Sequence, residues 1–196
     1  MPEGARAAGT PAVPAAPEST EFAEEVRRAS ALIGKSRQAV TELFSQARLG
    51  RAIDAEECLP LVDENASSVW RNPGAMVSLA RLKTHDDYTY MHSVAVCALM
   101  VSLGRQLGMD DAATRDAGLA GLLHDMGKAV MPSEVLNKPG KLTDAEFKVM
   151  KAHPLRGYEM LREGGSATEG ALDVCLHHHE KIDGSGYPHG LRGEQI

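Results

Sequence analysis

Apolar residues along this chain recur at helical rather than strand spacing. Phe22, Val26, Ala29, Ile33, Val40 and Leu43 fall on one stripe, and Glu21, Glu24 and Glu25 favour the start of a helix. The spacing predicts a helix over 20–48, closed by Gly50. A second helical stretch starts near Asp54 and is broken by the Arg-Asn-Pro-Gly run at 71–74. Residues 75–82 predict a short helix, and the pattern from Tyr88 to Leu107 is strongly helical up to Gly108. Residues 110–123 give a further helix that runs into His124-Asp125-Met126-Gly127-Lys128.

Residues 131–142 read as a loop, with Pro132 and a Pro139–Gly140 turn. Thr143 and Glu146 stand at capping-box spacing for a helix through about Ala152, and Pro154 either breaks that helix or starts the next. The stretch 163–170 reads as a loop, and 169–179 as a last short helix ending in three histidines. No alternating pattern of useful length and no internal repeat is present. The fold class expected is all-α.

Composition narrows this picture in three ways. Hydrophobic content of 43% supports a packed core, while aromatic content of 4% requires that core to be built from Leu, Val, Ala and Met. The first 17 residues hold six Ala, four Pro and two Gly, so residues 1–19 are expected to be a disordered tail or linker. After them come an N-terminal helical segment, 20–84, and a further domain, 85–196. The long apolar stripe of the 20–48 helix suggests a homodimer.

The net charge of −6 makes the chain a poor binder of nucleic acid polymer or anionic membrane. A small anionic substrate remains compatible, because a bound metal ion reverses the local field. Three scattered cysteines, Cys58, Cys97 and Cys175, do not make a disulfide framework. The longest apolar run, Val94–Val101, is far short of a bilayer span, which takes roughly 20 residues. With no signal peptide in view, a cytoplasmic location is expected.

The chemistry lies in the histidines: His85, His92, His124, His153, His177, His178, His179 and His189. Taken singly they say little. His92 and His153 read as core or boundary imidazoles, His177–His179 as a polar helix end, and His189 as a loop residue. The combination says more. His124 and Asp125 end an apolar helix, where an imidazole and a carboxylate are costly unless something pairs with them. A divalent metal pairs with both, and a carboxylate can bridge two metals. Single histidines on two other helices and a doublet on a fourth complete a nitrogen-rich cage. Neighbouring residues on a helix point about 100° apart, so His178 and His179 either serve two metals or lie where the helix unwinds.

Several boxes then carry a resemblance to a known family: HDxGK at 124–128, KPGKL at 138–142, HHE at 178–180 and GYP at 186–188. From about Tyr88 to Ile196 the chain resembles the HD-GYP family of bacterial phosphodiesterases. That family is a branch of the metal-dependent HD phosphohydrolases that degrades the second messenger cyclic di-GMP. The resemblance implies an HD-type helical bundle with a metal site between helices. Its implied metal ligands are His92, His124, Asp125, His153, His178 and His179, leaving His177 outside the set. Asp125 and Lys128 are the implied catalytic groups. Lys128 is placed to meet a phosphate as a point charge, and Gly186, Tyr187 and Pro188 form the signature loop. That loop is expected to be a substrate contact or a surface for a partner such as a diguanylate cyclase.

The implied reaction is hydrolysis of cyclic di-GMP to pGpG, and on to GMP if a second cut follows, by a hydroxide held between two metals. Five histidines with few carboxylates favour Fe, Mn, Co, Ni or Zn over Mg, and the resemblance favours Fe or Mn. Two departures qualify it. Family members with a third metal use a glutamate four residues before the first histidine. Tyr88 stands there in this chain, after Asp86 and Asp87, so two metals are expected. No aspartate follows Asp183, whereas the family carries a metal-binding aspartate on a later helix, so the domain is expected to be incomplete at its C-terminus. The alternatives are a non-catalytic module that senses the dinucleotide or binds a partner, and an HD hydrolase of another nucleotide. Cys175, Glu180 and Asp183 are left between structural and supporting roles, with Cys175 read as a core thiol.

Overall fold

The computed structural model describes residues 21–80 and 88–196. The expected tail at 1–19, the boundary at 84/85, and His85, Asp86 and Asp87 lie outside the described residues. The apolar stripes become helices α1 (Phe22–Arg48), α2 (Leu59–Arg71), α3 (Pro73–Ala80), α4 (Tyr88–Gln106) and α5 (Asp111–Leu123). After a 3-10 turn at Met126–Val130 come α6 (Ser133–Leu136), α7 (Asp144–Met150), α8 (His153–Gly164) and α9 (Glu169–His177). Among the described residues the one β pairing is an isolated bridge between Asp183 and Arg192, so the all-α expectation holds.

Local chemistry fixes most boundaries where the spacing placed them. Asp110 caps α5 by accepting from Ala113 N–H, and Thr143 and Glu146 close the capping box of α7. Pro154 sits in the first turn of α8, where its missing N–H costs nothing, so it starts that helix. Three boundaries differ from the expectation. One turn of helix, α6, lies inside the expected 131–142 loop, and α8 runs on to Gly164 before a left-handed Gly165 (φ 75°) ends it. The last helix stops at His177, because Glu180 N–H turns back onto His177 O at 2.7 Å.

The main core joins Val40 and Phe44 of α1, Val62 of α2, Val94 and Cys97 of α4, Leu119, Leu122 and Leu123 of α5, and Leu161 of α8. From the apolar stripe of α1 this core takes Val40 and Leu43, while Phe22 at the start of the stripe is 51% exposed. A buried carboxylate locks α1 to α2: Glu25 accepts from Ser68 Oγ (2.8 Å) and from Arg71 Nε and Nη2 (2.7 and 2.8 Å). The far end of α1 reaches the next region, where Arg48 Nε donates to Ala129 O at 3.0 Å, one residue beyond Lys128. Among the described residues no helix is long and apolar enough to cross a membrane.

Candidate metal centre

Four elements deliver the histidines to one place. His92 lies within α4, His124 and Asp125 follow the last residue of α5, His153 is the first residue of α8, and His178 caps α9 with His179 just beyond it. The approach of α8 to the turn after α5 depends on glycine. A Cβ on Gly127 would stand 1.8 Å from His153 O, so only a bare backbone lets His153 come this close to Asp125.

The centre is organised around the two oxygens of one carboxylate, which is 1% exposed. Asp125 Oδ2 faces His124 Nε2 (3.2 Å), His92 Nε2 (3.7 Å) and Lys128 Nζ (2.7 Å). Asp125 Oδ1 faces His153 Nε2 (3.3 Å) and His178 Nε2 (3.5 Å). Two ligand groups result, His92–His124–Asp125 and Asp125–His153–His178–His179, with the aspartate common to both. All six residues implied by the resemblance are brought together. His178 and His179 fall in the same group, and the reason is the early end of α9: past His177 the chain no longer imposes the helical angle between neighbours.

Hydrogen bonds fix the protonation pattern. His124 Nδ1 lies 2.8 Å from Gly121 O, His153 Nδ1 2.8 Å from Met150 O, and His178 Nδ1 3.0 Å from Cys175 O. A carbonyl only accepts, so each Nδ1 is the donor, and in the neutral ring each Nε2 is a bare lone pair turned inward. His153 Nε2 and His178 Nε2 stand 3.2 Å apart, and buried Asp125 Oδ1 has no hydrogen-bond donor of its own. Acceptors converging on one point with nothing positive between them suit a cation. The donor set fits a divalent metal that accepts imidazole ligands.

Electrostatics point the same way. Burial works to raise the Asp125 pKa, but in the metal-free centre the rings of His124, His153 and His178, once protonated on the inward Nε2 as well, outweigh it and hold the carboxyl far below the usual carboxylate range, a positive role that a bound cation would take over. Burial first, then the neighbouring His178 and His153, lowers His179 to about 4, which keeps its ring in the neutral, ligating form near pH 7. Cys175 is a core thiol whose Sγ donates to His124 O at 3.4 Å; burial, then the charge of Asp125, pushes it up to about 12.

The GYP segment packs on the rim of the centre. A Cβ on Gly186 would come within 2.4 Å of Glu180 Cα, and Tyr187 N–H donates to His179 O at 3.2 Å. The Tyr187 ring stacks on the His179 imidazole, centroids 4.6 Å apart and planes 19° from parallel. Sequence reasoning left Glu180 between supporting a metal ligand and being solvated. Its carboxylate, still open to solvent, braces the loop and not a ligand: it accepts from the backbone N–H groups of His189, Gly190 and Leu191 at 2.6, 3.1 and 2.9 Å. Asp183 likewise serves the loop, accepting from Ser185 N–H at 2.8 Å. His177, outside the cage, bonds Asp173 (2.9 Å) and His189 (3.1 Å), a link that only tertiary contact reveals.

Comparison with known proteins follows the same line. The family model described as HD domain matches residues 68–196. The chain is 54% identical over 186 residues to a cyclic di-GMP phosphodiesterase of Pseudomonas aeruginosa, covering 94% of this chain and 45% of that protein. It is 35% identical over 125 residues to a 3'3'-cGAMP-specific phosphodiesterase of Vibrio cholerae, covering 62% of this chain and 28% of that protein. The chain thus spans less than half the length of these curated relatives. Among solved structures, an HDG"Y"P protein from Bdellovibrio bacteriovorus superposes with a TM-score of 0.73 at 23% identity, over 88% of this chain and 56% of that one.

Proposed function

Because this chain belongs to the HD domain family, we propose that it is the hydrolytic part of a cyclic di-GMP phosphodiesterase that opens the ring to pGpG. The observation that carries the reading is the division of Asp125: one oxygen serves each of two ligand groups, so one carboxylate is placed to hold two ions. His92 and His124 would complete one side, and His153, His178 and His179 the other. Bound divalent ions supply positive charge to the phosphate and lower the pKa of a water molecule so that hydroxide forms near neutral pH. The family resemblance favours iron or manganese among the divalent ions.

The chain's own residues do the rest. The backbone carbonyls of Gly121, Met150 and Cys175 hold three imidazoles in the ligating tautomer. Lys128, 2.7 Å from Asp125, offers a fixed positive charge to a phosphate oxygen whose negative charge grows in the transition state. Gly186, Tyr187 and Pro188 hold the rim where substrate enters, and the same loop is the candidate surface for a diguanylate cyclase partner. A cytoplasmic site of action agrees with this substrate.

A second reading has an observation of its own, the similarity to a 3'3'-cGAMP-specific enzyme. The test is metal content per chain on anaerobically purified protein, together with chromatography of products from both dinucleotides. About two metals per chain and a pGpG peak, both lost in His124→Ala, are expected. Faster turnover of 3'3'-cGAMP would replace the substrate. Folded protein with neither metal nor product would leave a non-catalytic module.

A further inference from the structure

The imidazoles around Asp125 are not all held in the same way. His124, His153 and His178 each anchor Nδ1 on a backbone carbonyl, which fixes where Nε2 points. Among the described residues the His179 ring has no hydrogen-bond partner; it is held by ring contacts, with His178 (centroids 4.3 Å apart) and His153 (5.0 Å) on the cage side and the flat stack on Tyr187 on the outer side. Tyr187 is in turn braced from α7. The Phe147 ring meets it edge-on, centroids 6.3 Å apart at 84°, and Lys151 Nζ stands 5.2 Å from the Tyr187 centroid and 4.9 Å from that of Phe147. A single ammonium thus faces two rings, and Lys151, the C-cap of α7, follows Phe147 by one helical turn.

We infer that Phe147 and Lys151 are positioning residues for the ligand His179, acting through Tyr187. Neither belongs to a motif box, and neither approaches the cage directly. Phe147 leaves 44% of its surface exposed, a poor use of an aromatic ring unless its edge is wanted where it is. A ligand without a hydrogen-bond anchor transmits any tilt of its stacking partner straight to its lone pair. Loosening the brace therefore weakens ion binding at the Asp125–His153–His178–His179 group while leaving His92–His124–Asp125 unaffected. That consequence rests on the metal reading above; the ring geometry itself does not.

The test uses the full chain with Lys151→Met, Lys151→Arg, Phe147→Ala and the Phe147→Ala/Lys151→Met pair. In metal-free protein, proton NMR reads the ring-current shift that Tyr187 imposes on the His179 imidazole. We expect that shift to collapse in the pair, to shrink in Lys151→Met, and to return in Lys151→Arg. An unchanged shift in the pair, with the fold intact by circular dichroism, overturns the proposal whether or not the protein binds metal. In cobalt(II) titrations against a competing chelator, one of two binding steps should weaken by about 10–100-fold, as for loss of other supporting partners. Equal weakening of both steps would show a general loosening of the fold and overturn it too. Failure of the parent protein to take up cobalt would count against the metal centre alone, since the NMR arm still decides the positioning.

Discussion

His153 Nε2 and His178 Nε2 face each other across 3.2 Å while both rings give their Nδ1 proton to a backbone carbonyl. Two inward lone pairs at that distance repel unless a positive charge lies between them. The pair defines one half of the centre, and Asp125 joins it to the half formed by His92 and His124.

If Asp125 serves both halves, Asp125→Asn should empty both rather than one. The expected result is loss of both bound metals and a fall in kcat/KM of more than about 100-fold, beyond the usual effect of removing a supporting partner. Metal analysis by mass spectrometry checks this. Retention of a full complement would show that the carboxylate is not shared.

Lys128 has a different role. Its ammonium touches Asp125 and adds charge near the phosphate without being a ligand. Lys128→Met should retain metal while kcat falls by about 100- to 1000-fold, the scale for losing one donor to a developing oxyanion. Loss of metal in this variant would instead assign Lys128 to holding the site together.

Gly127→Ala tests the packing that brings α8 to the turn. The added Cβ would meet His153 O, a backbone atom that cannot swing aside. Overpacking of this kind costs about 1–3 kcal/mol, and for a domain of this size each kcal/mol lowers Tm by about 2–4 °C. A thermal melt reads it, and an unchanged Tm would mean that α8 shifts freely.

Glu146 gives a pH signature outside the centre. The Lys138 ammonium, 2.6 Å away, and then the Thr143 backbone N–H lower its pKa to about 2. A folded pKa below the unfolded value of about 4.3 means that its contribution is complete above that pH and is lost as pH falls through about 2. Carboxyl NMR titration should place the midpoint near 2 and find it raised in Lys138→Met. A midpoint of about 4 in the parent would remove the link between the 138–142 loop and α7.

Much of this was legible in the sequence because it is local. Capping pairs such as Thr143 with Glu146, breakers such as Pro154, and apolar spacing depend on neighbours in the chain, and the motif boxes carry the ligands. What could not be read is set by tertiary contact. Glu180 looks like a partner for its neighbouring histidines, yet it spans nine residues to take the backbone of His189. Phe147 and Lys151 look like an ordinary amphipathic turn until Tyr187 is laid against them. The end of α9 at His177, and with it the sharing of one group by His178 and His179, depends on a loop that folds back from residue 180 onward.

The ligands sit far apart along the chain, on α4, after α5, at the head of α8 and past α9, so three long arcs run between them. Ions held in the two ligand groups, joined through Asp125, would clip those arcs together in the folded chain and be released when it unfolds. Thermal stability should then climb with the logarithm of free metal concentration. A cell that starves of that metal would lose the protein to proteolysis as well as losing its activity.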